Sequence, residues 1–337
     1  MSEFFIKEPS LENYWRAIIL FGRNVASYKF ALAKALLEMK GLPNDLIKLD
    51  QLAEPFSRHL CEHLKHSPKQ ITSSSSTFIT TCQQFNLGEI SRDELIGQTV
   101  KMGFNNVIDA FHVVNREDVP KRFFLDERKS SGGIRLTDNF NNLTEVFQFN
   151  SFQQEAEARW RLVEEAWALG ISAKLISVDY NSDNGLIFIN NNQKRTDLTS
   201  CRDSLNGYQK GRCFYCYDEI SIVSGDDSLA DIDHFIPWVL RNYIPNIDSV
   251  WNLVLSCKEC NGAREKSAKL PHRSLLERLY RRNEYLINSH LPLRNALMRQ
   301  TGKIVDQRIT FLNETYQTAK NMLIHEWKPT VKGIITF

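Results

Sequence analysis

Two cysteine pairs constrain this chain more than any other feature. "CFYC" at 213–216 and "CKEC" at 257–260 form a C-x2-C, a gap of 40 residues and a second C-x2-C. Each pair supplies two thiolates at the bite that a Zn–S shell of about 2.3 Å requires, so the two together suggest one four-cysteine site. Such a site would staple the ends of a small folded unit; two independent redox or core pairs are the alternative. Zinc held by Cys213, Cys216, Cys257 and Cys260 has no open position, so it would be structural. Cys61, Cys82 and Cys201 are scattered, as small core residues are.

Between the knuckles lie Asp233-His234-x-x-Pro237 and Trp251-Asn252-Leu253, and Asn261 follows the second knuckle directly. Arg264, Lys266 and Lys269 come just beyond. Asp233 and His234 are neighbours, so on a regular strand they point to opposite faces. Asp231 shares the face of Asp233 and is read as structural.

The order C-x2-C, D-H-x-x-P, N-L-x-x-x-C-x2-C-N resembles the zinc-stapled, ββα-metal type of HNH endonuclease, over Cys213–Lys269. The third motif residue is Asn261 rather than His, a variant familiar at that place. The resemblance implies two strands and a helix around one divalent metal, with the strand ending and the chain bending at Asp233-His234. It implies that Asn252 holds the His-bearing loop through side-chain hydrogen bonds. It also implies a role in bacterial defence or restriction of foreign DNA. Residues 152–216, with "ARWRLVEEAWALGIS" and "GYQKGRCFYC", are similar to the leader of a subgroup of bacterial HNH proteins.

Phosphodiester hydrolysis needs a base for water, a cation on the scissile phosphate and help for the leaving oxygen. Neutral His234 suits the first role, with an ordinary pKa near 6.5. Asp233 and Asn261 are oxygen donors suited to Mg²⁺ or Mn²⁺. His234, Asn252 and Asn261 are thus the candidate catalytic residues and Asp233 and Asn261 the candidate metal ligands. Arg264, Lys266 and Lys269 are the candidate nucleic-acid contacts. Residues 258–299 carry ten Lys/Arg against four Glu, so a net charge near +2 hides a basic segment whose natural partner is nucleic acid.

The rest of the chain reads as α+β: a mainly helical N-terminal region, the ββα-metal domain, and a helical C-terminal extension. Four parts are expected: 1–125, helical, for recognition, dimerisation or regulation; 126–198, connecting, with a helix and a hairpin; 199–270, the nuclease domain; and 271–337, the extension. Apolar residues from Leu11 to Met39 predict one continuous helix, ended by Gly41-Leu42-Pro43. The serine run at 73–76 reads as a loop or N-cap, and 127–139 as a hinge or turn. "HLCEH" at 59–63 fits a bare H-x-x-E-H pattern, but so short a match arises by chance, and helix-surface histidines are the reading preferred. Phe152–Leu169 is an amphipathic helix stopped by Gly170; residues 173–191 form a hairpin, and a short helix spans Thr199–Tyr208.

No apolar run reaches 18 residues and the N-terminus lacks a signal-peptide pattern, so a cytoplasmic chain with no membrane partner is expected. The leading reading is a DNA endonuclease with structural Zn²⁺ and catalytic Mg²⁺ or Mn²⁺. It could act as a homodimer or with a regulatory partner bound to the N-terminal helices. An RNA-cleaving toxin of the same fold stays open, because Phe214, Tyr215 and Tyr217 could stack single-stranded bases. A non-catalytic zinc module that binds nucleic acid is the third possibility.

Overall fold

In the computed structural model the long N-terminal stripe is two helices, Leu11–Phe21 and Tyr28–Glu38. The structure describes all residues except 1, 2, 7, 23, 24, 74, 75, 170–176, 182–185, 192, 193, 263, 264, 290, 291 and 337. Gly22 ends the first helix in an extended conformation and bridges to Val114. A Cβ there would strike the Ile18 carbonyl and the Lys29 side chain, so glycine permits the turn. Ala26 then bridges to Ile71, and Ser27 N donates to Gln70 O at 3.0 Å. Tertiary backbone pairing therefore overrides a periodicity that is equally good on both sides of the break.

The chain divides into two units, Met1–Gly170 and Ile171–Phe337. In the first, the two opening helices pack with Leu49–Leu64 and Ser151–Leu169 around buried Trp15, Phe30, Phe56, Leu60 and Trp160. Trp15 lies 5.2 Å from Phe123 and 5.7 Å from Phe111, ring centre to ring centre. Ser76 caps the helix Thr77–Asn86. The stretch expected as a hinge or turn holds the turn of a hairpin, Phe124–Glu127 with Gly133–Leu136, to which Leu46–Lys48 adds a third antiparallel strand. Gly133 allows that approach, because a Cβ would collide with the Ile47 carbonyl.

The histidines of "HLCEH" are not surface groups. His59 is buried and meets Glu38 Oε1 at 2.6 Å. His63 stacks on Trp160 at 3.5 Å and bonds Glu164 at 2.8 Å and Glu157 at 3.1 Å. These bonds are to carboxylates, and among the described residues the histidines join no metal-ligating cluster.

The second unit begins with an antiparallel sheet of Ser177–Asn181, Leu186–Asn191 and Lys194–Ser200; the first two are the expected hairpin, whose turn lies outside the described residues. Helix Cys201–Asn206 follows and leads to the first cysteine knuckle. Strands Asp231–His234 and Leu253–Ser256 pair antiparallel, with His234 opposite Leu253 and Asp233 opposite Val254. The short helix Lys258–Asn261 follows the second strand. Helices Leu276–Asn288, Pro292–Thr301 and Val305–Met322 come next, and Glu326–Trp327 pairs in parallel with Leu270–Pro271. No helix among the described residues is long and apolar enough to cross a membrane.

Candidate HNH site

The first knuckle is a tight turn in which Tyr217 N donates to Cys213 O and Cys213 N to Asp218 O. The turn needs a left-handed residue, which Tyr217 supplies at φ 64°. In the second knuckle Cys257 caps its helix, its sulfur accepting from Cys260 N at 3.5 Å. Gln209 ties the two halves together, donating to Leu255 O at 2.9 Å and accepting from Leu255 N at 2.8 Å.

These contacts bring the sulfurs of Cys213, Cys216, Cys257 and Cys260 within 4.8 Å of one another, with Cys216 and Cys257 3.7 Å apart. A zinc tetrathiolate has S···S edges of about 3.8 Å, given Zn–S bonds of about 2.3 Å, so the cluster has the dimensions to hold zinc. All four cysteines are free thiols. Hydrogen bonds from the other three hold the Cys257 thiol below its ordinary pKa, while burial pushes Cys213 up.

His234 ends its strand with its side chain 15% exposed, and its Nε2 lies 2.9 Å from Asp248 Oδ1. Burial pushes its pKa below the ordinary value, and the bond to Asp248 pulls in the opposite direction. Asn252 is fully buried. Its Oδ1 accepts from Ile236 N at 2.7 Å, and its Nδ2 donates to Ile236 O at 3.0 Å and Ile247 O at 2.9 Å. One amide thus grips both ends of the loop between the strands.

Asp233 is buried, with Oδ2 accepting from the Tyr215 hydroxyl at 2.5 Å. Lys266 Nζ donates to Asp233 Oδ1 at 3.0 Å and to His234 O at 2.8 Å. Lys266 N bonds back to Cys260 O, curling the chain beneath the short helix so that its side chain, 1% exposed, runs inward. Burial lowers its pKa, and the carboxylate of Asp233 opposes that shift. Asn261 reaches the same strand through Asp231, donating from Nδ2 to Oδ2 at 3.3 Å. As donors, a carboxylate and an amide oxygen match what Mg²⁺ or Mn²⁺ prefers. A divalent ion at Asp233 would share or displace the Lys266 contact.

Part of the basic segment is turned inward, while Lys258, Arg273 and Arg299 are exposed. Arg282 is fully buried and donates to Trp251 O at 3.1 Å and Val250 O at 3.3 Å. Arg278 donates to the Phe214 and Tyr215 carbonyls and lies 3.8 Å from the Tyr217 ring centre. These guanidiniums brace the knuckle and the loop, a use that a charge count cannot distinguish from a solvated face. Lys269 is half-buried, and Arg264 lies outside the described residues. Phe214, Tyr215 and Tyr217 are buried, so none offers a stacking surface. Asp248, the bond from Tyr215 to Asp233 and the inward course of Lys266 were not read from the sequence, since each depends on how a loop folds back.

Residues 213–272 match the family model described as HNH endonuclease. That family consists of nucleases, so nucleic acid is the class of substrate the segment implies. No curated protein and no solved structure matches the chain.

Proposed function

We propose that this chain is a metal-dependent HNH endonuclease that hydrolyses phosphodiester bonds of DNA in the restriction of foreign DNA. The observation that carries the reading is a histidine held by a carboxylate at a strand end, next to Asp233 in the chain and on the strand whose Asp231 accepts from Asn261, inside the segment that matches the family. The paired strands Asp231–His234 and Leu253–Ser256, with the helix Lys258–Asn261, support a ββα-metal arrangement.

His234 serves as general base. With Nε2–H directed at Asp248, Nδ1 is the nitrogen that takes the proton from the attacking water. Asn252 keeps the histidine loop in register through its three side-chain hydrogen bonds to Ile236 and Ile247. Asp233 and Asn261 would hold Mg²⁺ or Mn²⁺, which when bound would supply positive charge to the scissile phosphate and the leaving 3′ oxygen. Lys266 pairs with Asp233 and ties it to the His234 carbonyl. The four cysteines would hold a structural zinc. The first unit serves recognition, dimerisation or regulation.

The test is plasmid cleavage by the full chain, with Mg²⁺ or Mn²⁺ restored after chelation. Wild type should nick or linearise the plasmid and His234→Ala should not. Cleavage by His234→Ala equal to wild type would overturn the mechanism. Degradation of RNA with duplex DNA left intact would overturn the substrate.

A further inference from the structure

The loop between the paired strands exposes large aromatic side chains. Trp238 is 47% exposed, Val239 52% and Tyr243 64%. They do not face outward for want of an interior, because Leu240, Ile244 and Ile247 of the same loop are buried. Backbone bonds from Leu240 N to Pro237 O, Arg241 N to Trp238 O and Ile244 N to Leu240 O hold it in two turns. Arg241 lays its guanidinium over the Trp238 indole, 3.8 Å from the ring centre. From Phe235 to Ile247 Arg241 is the one charged residue in the sequence.

The loop is also fastened to the candidate site. Asn252 clamps its two ends and the His234–Asp248 bond closes its mouth. The loop that carries the aromatic surface is therefore anchored on residues assigned to catalysis. Exposed apolar area beside a polar site marks a contact surface, and an indole backed by a guanidinium is flat and cationic, while the one acid of the loop, Asp248, is paired with His234. Nucleobases, which have π-faces and lie beside phosphates, suit that chemistry better than an acid-bearing protein surface.

We propose that Trp238 and Tyr243, with Arg241 stacked on Trp238, form a platform on which a base of the bound nucleic-acid strand stacks next to His234. The proposal rests on the nuclease reading and adds how the substrate is gripped. On a single strand the base lies on the rings. On a duplex Trp238 or Val239 enters a base step as an apolar wedge.

The experiment uses the full chain carrying His234→Ala, so that the probe survives, and measures binding of a fluorescently labelled oligothymidine strand and of a duplex of equal length. Trp238→Ala and Tyr243→Ala should each weaken binding by about tenfold, the usual loss for one stacked base, with the salt dependence of binding unchanged. Trp238→Phe should remain within about twofold of the parent, since a benzyl ring still stacks. Trp238 is the most exposed tryptophan among the described residues, so the unlabelled strand should quench its emission, and the quenching should vanish in Trp238→Phe. Parent affinity retained by Trp238→Ala overturns the platform and leaves the nuclease reading standing. A parent that binds neither probe overturns both. A change in oligomeric state with Trp238→Ala, at unchanged affinity, assigns the surface to a second copy of the chain and also overturns the platform.

Discussion

His234 directs Nε2–H at Asp248 Oδ1 across 2.9 Å, and this bond shuts the mouth of the loop that Asn252 grips from inside. The imidazole is thereby fixed in one tautomer and one orientation before any substrate arrives. Pre-set orientation of a base lowers the ordering that the reaction itself must accomplish.

Replacing His234 by Ala should lower phosphodiester cleavage by about 10²–10⁴-fold, the usual contribution of a general base. Thermal unfolding should change little, because the side chain is at the strand end and partly exposed. Plasmid cleavage alongside circular dichroism melting checks both halves.

Asp248→Asn should lower kcat on the order of tenfold or more by loosening the imidazole. Its effect on pH dependence has a definite sign. The base acts when neutral, so the rate rises with pH through the folded pKa, which burial holds below 6.5. Asp248 pulls that value upward, so removing its charge should move the acidic limb of the kcat profile to lower pH. A limb that moves to higher pH would sink the orienting role.

Lys266→Met should destabilise the second unit by ~3–5 kcal/mol, because it strands a buried carboxylate at Asp233 without its counter-charge. Lys266→Met combined with Asp233→Leu should recover part of that loss, since no charge is then left buried. Chemical denaturation of the single and double variants measures the coupling.

Cys257→Ser should remove bound zinc, measured as metal per chain by mass spectrometry. It should also abolish the cooperative unfolding of the second unit, because four ligands close the shell together. Zinc should survive mild chelation that strips Mg²⁺. A Cys257→Ser protein that unfolds as wild type does would exclude a structural metal.

The first unit should lose stability on the alkaline side through His63. Burial opposes its charge, but Glu157 and Glu164 outweigh burial and raise its pKa above the ordinary 6.5. The stabilisation is therefore complete below about pH 6.5 and is lost as pH rises through the folded pKa. Melting followed against pH should show this decline, and His63→Gln should flatten it.

Residues that act through local spacing were legible in the chain. The two C-x2-C pairs predicted a cluster, and their sulfurs do converge. The order of motifs around Asp233, His234, Asn252 and Asn261 predicted the family that residues 213–272 match. Such patterns survive in one dimension because a thiolate bite or a strand end involves few neighbouring residues. The break at Gly22 was not legible, because the 3.6-residue period continues on both sides and only pairing with Val114 and Ile71 distinguishes them. Charge was legible only as a sum. Lys266, Arg278 and Arg282 count as basic residues in the sequence, and the fold turns them onto Asp233 and onto carbonyls of the knuckle and the loop.

By itself, then, the sequence determined the chemistry available in this protein: four thiols at metal-binding spacing and a histidine between oxygen donors. Tertiary structure decided how those groups are used. It put Asp248 on His234, Lys266 beneath Asp233, and Trp238 outside while Phe214 and Tyr215 went in. The physical reason is that side-chain direction and desolvation are set by residues distant in the chain, whereas ligand spacing is set by the chain itself.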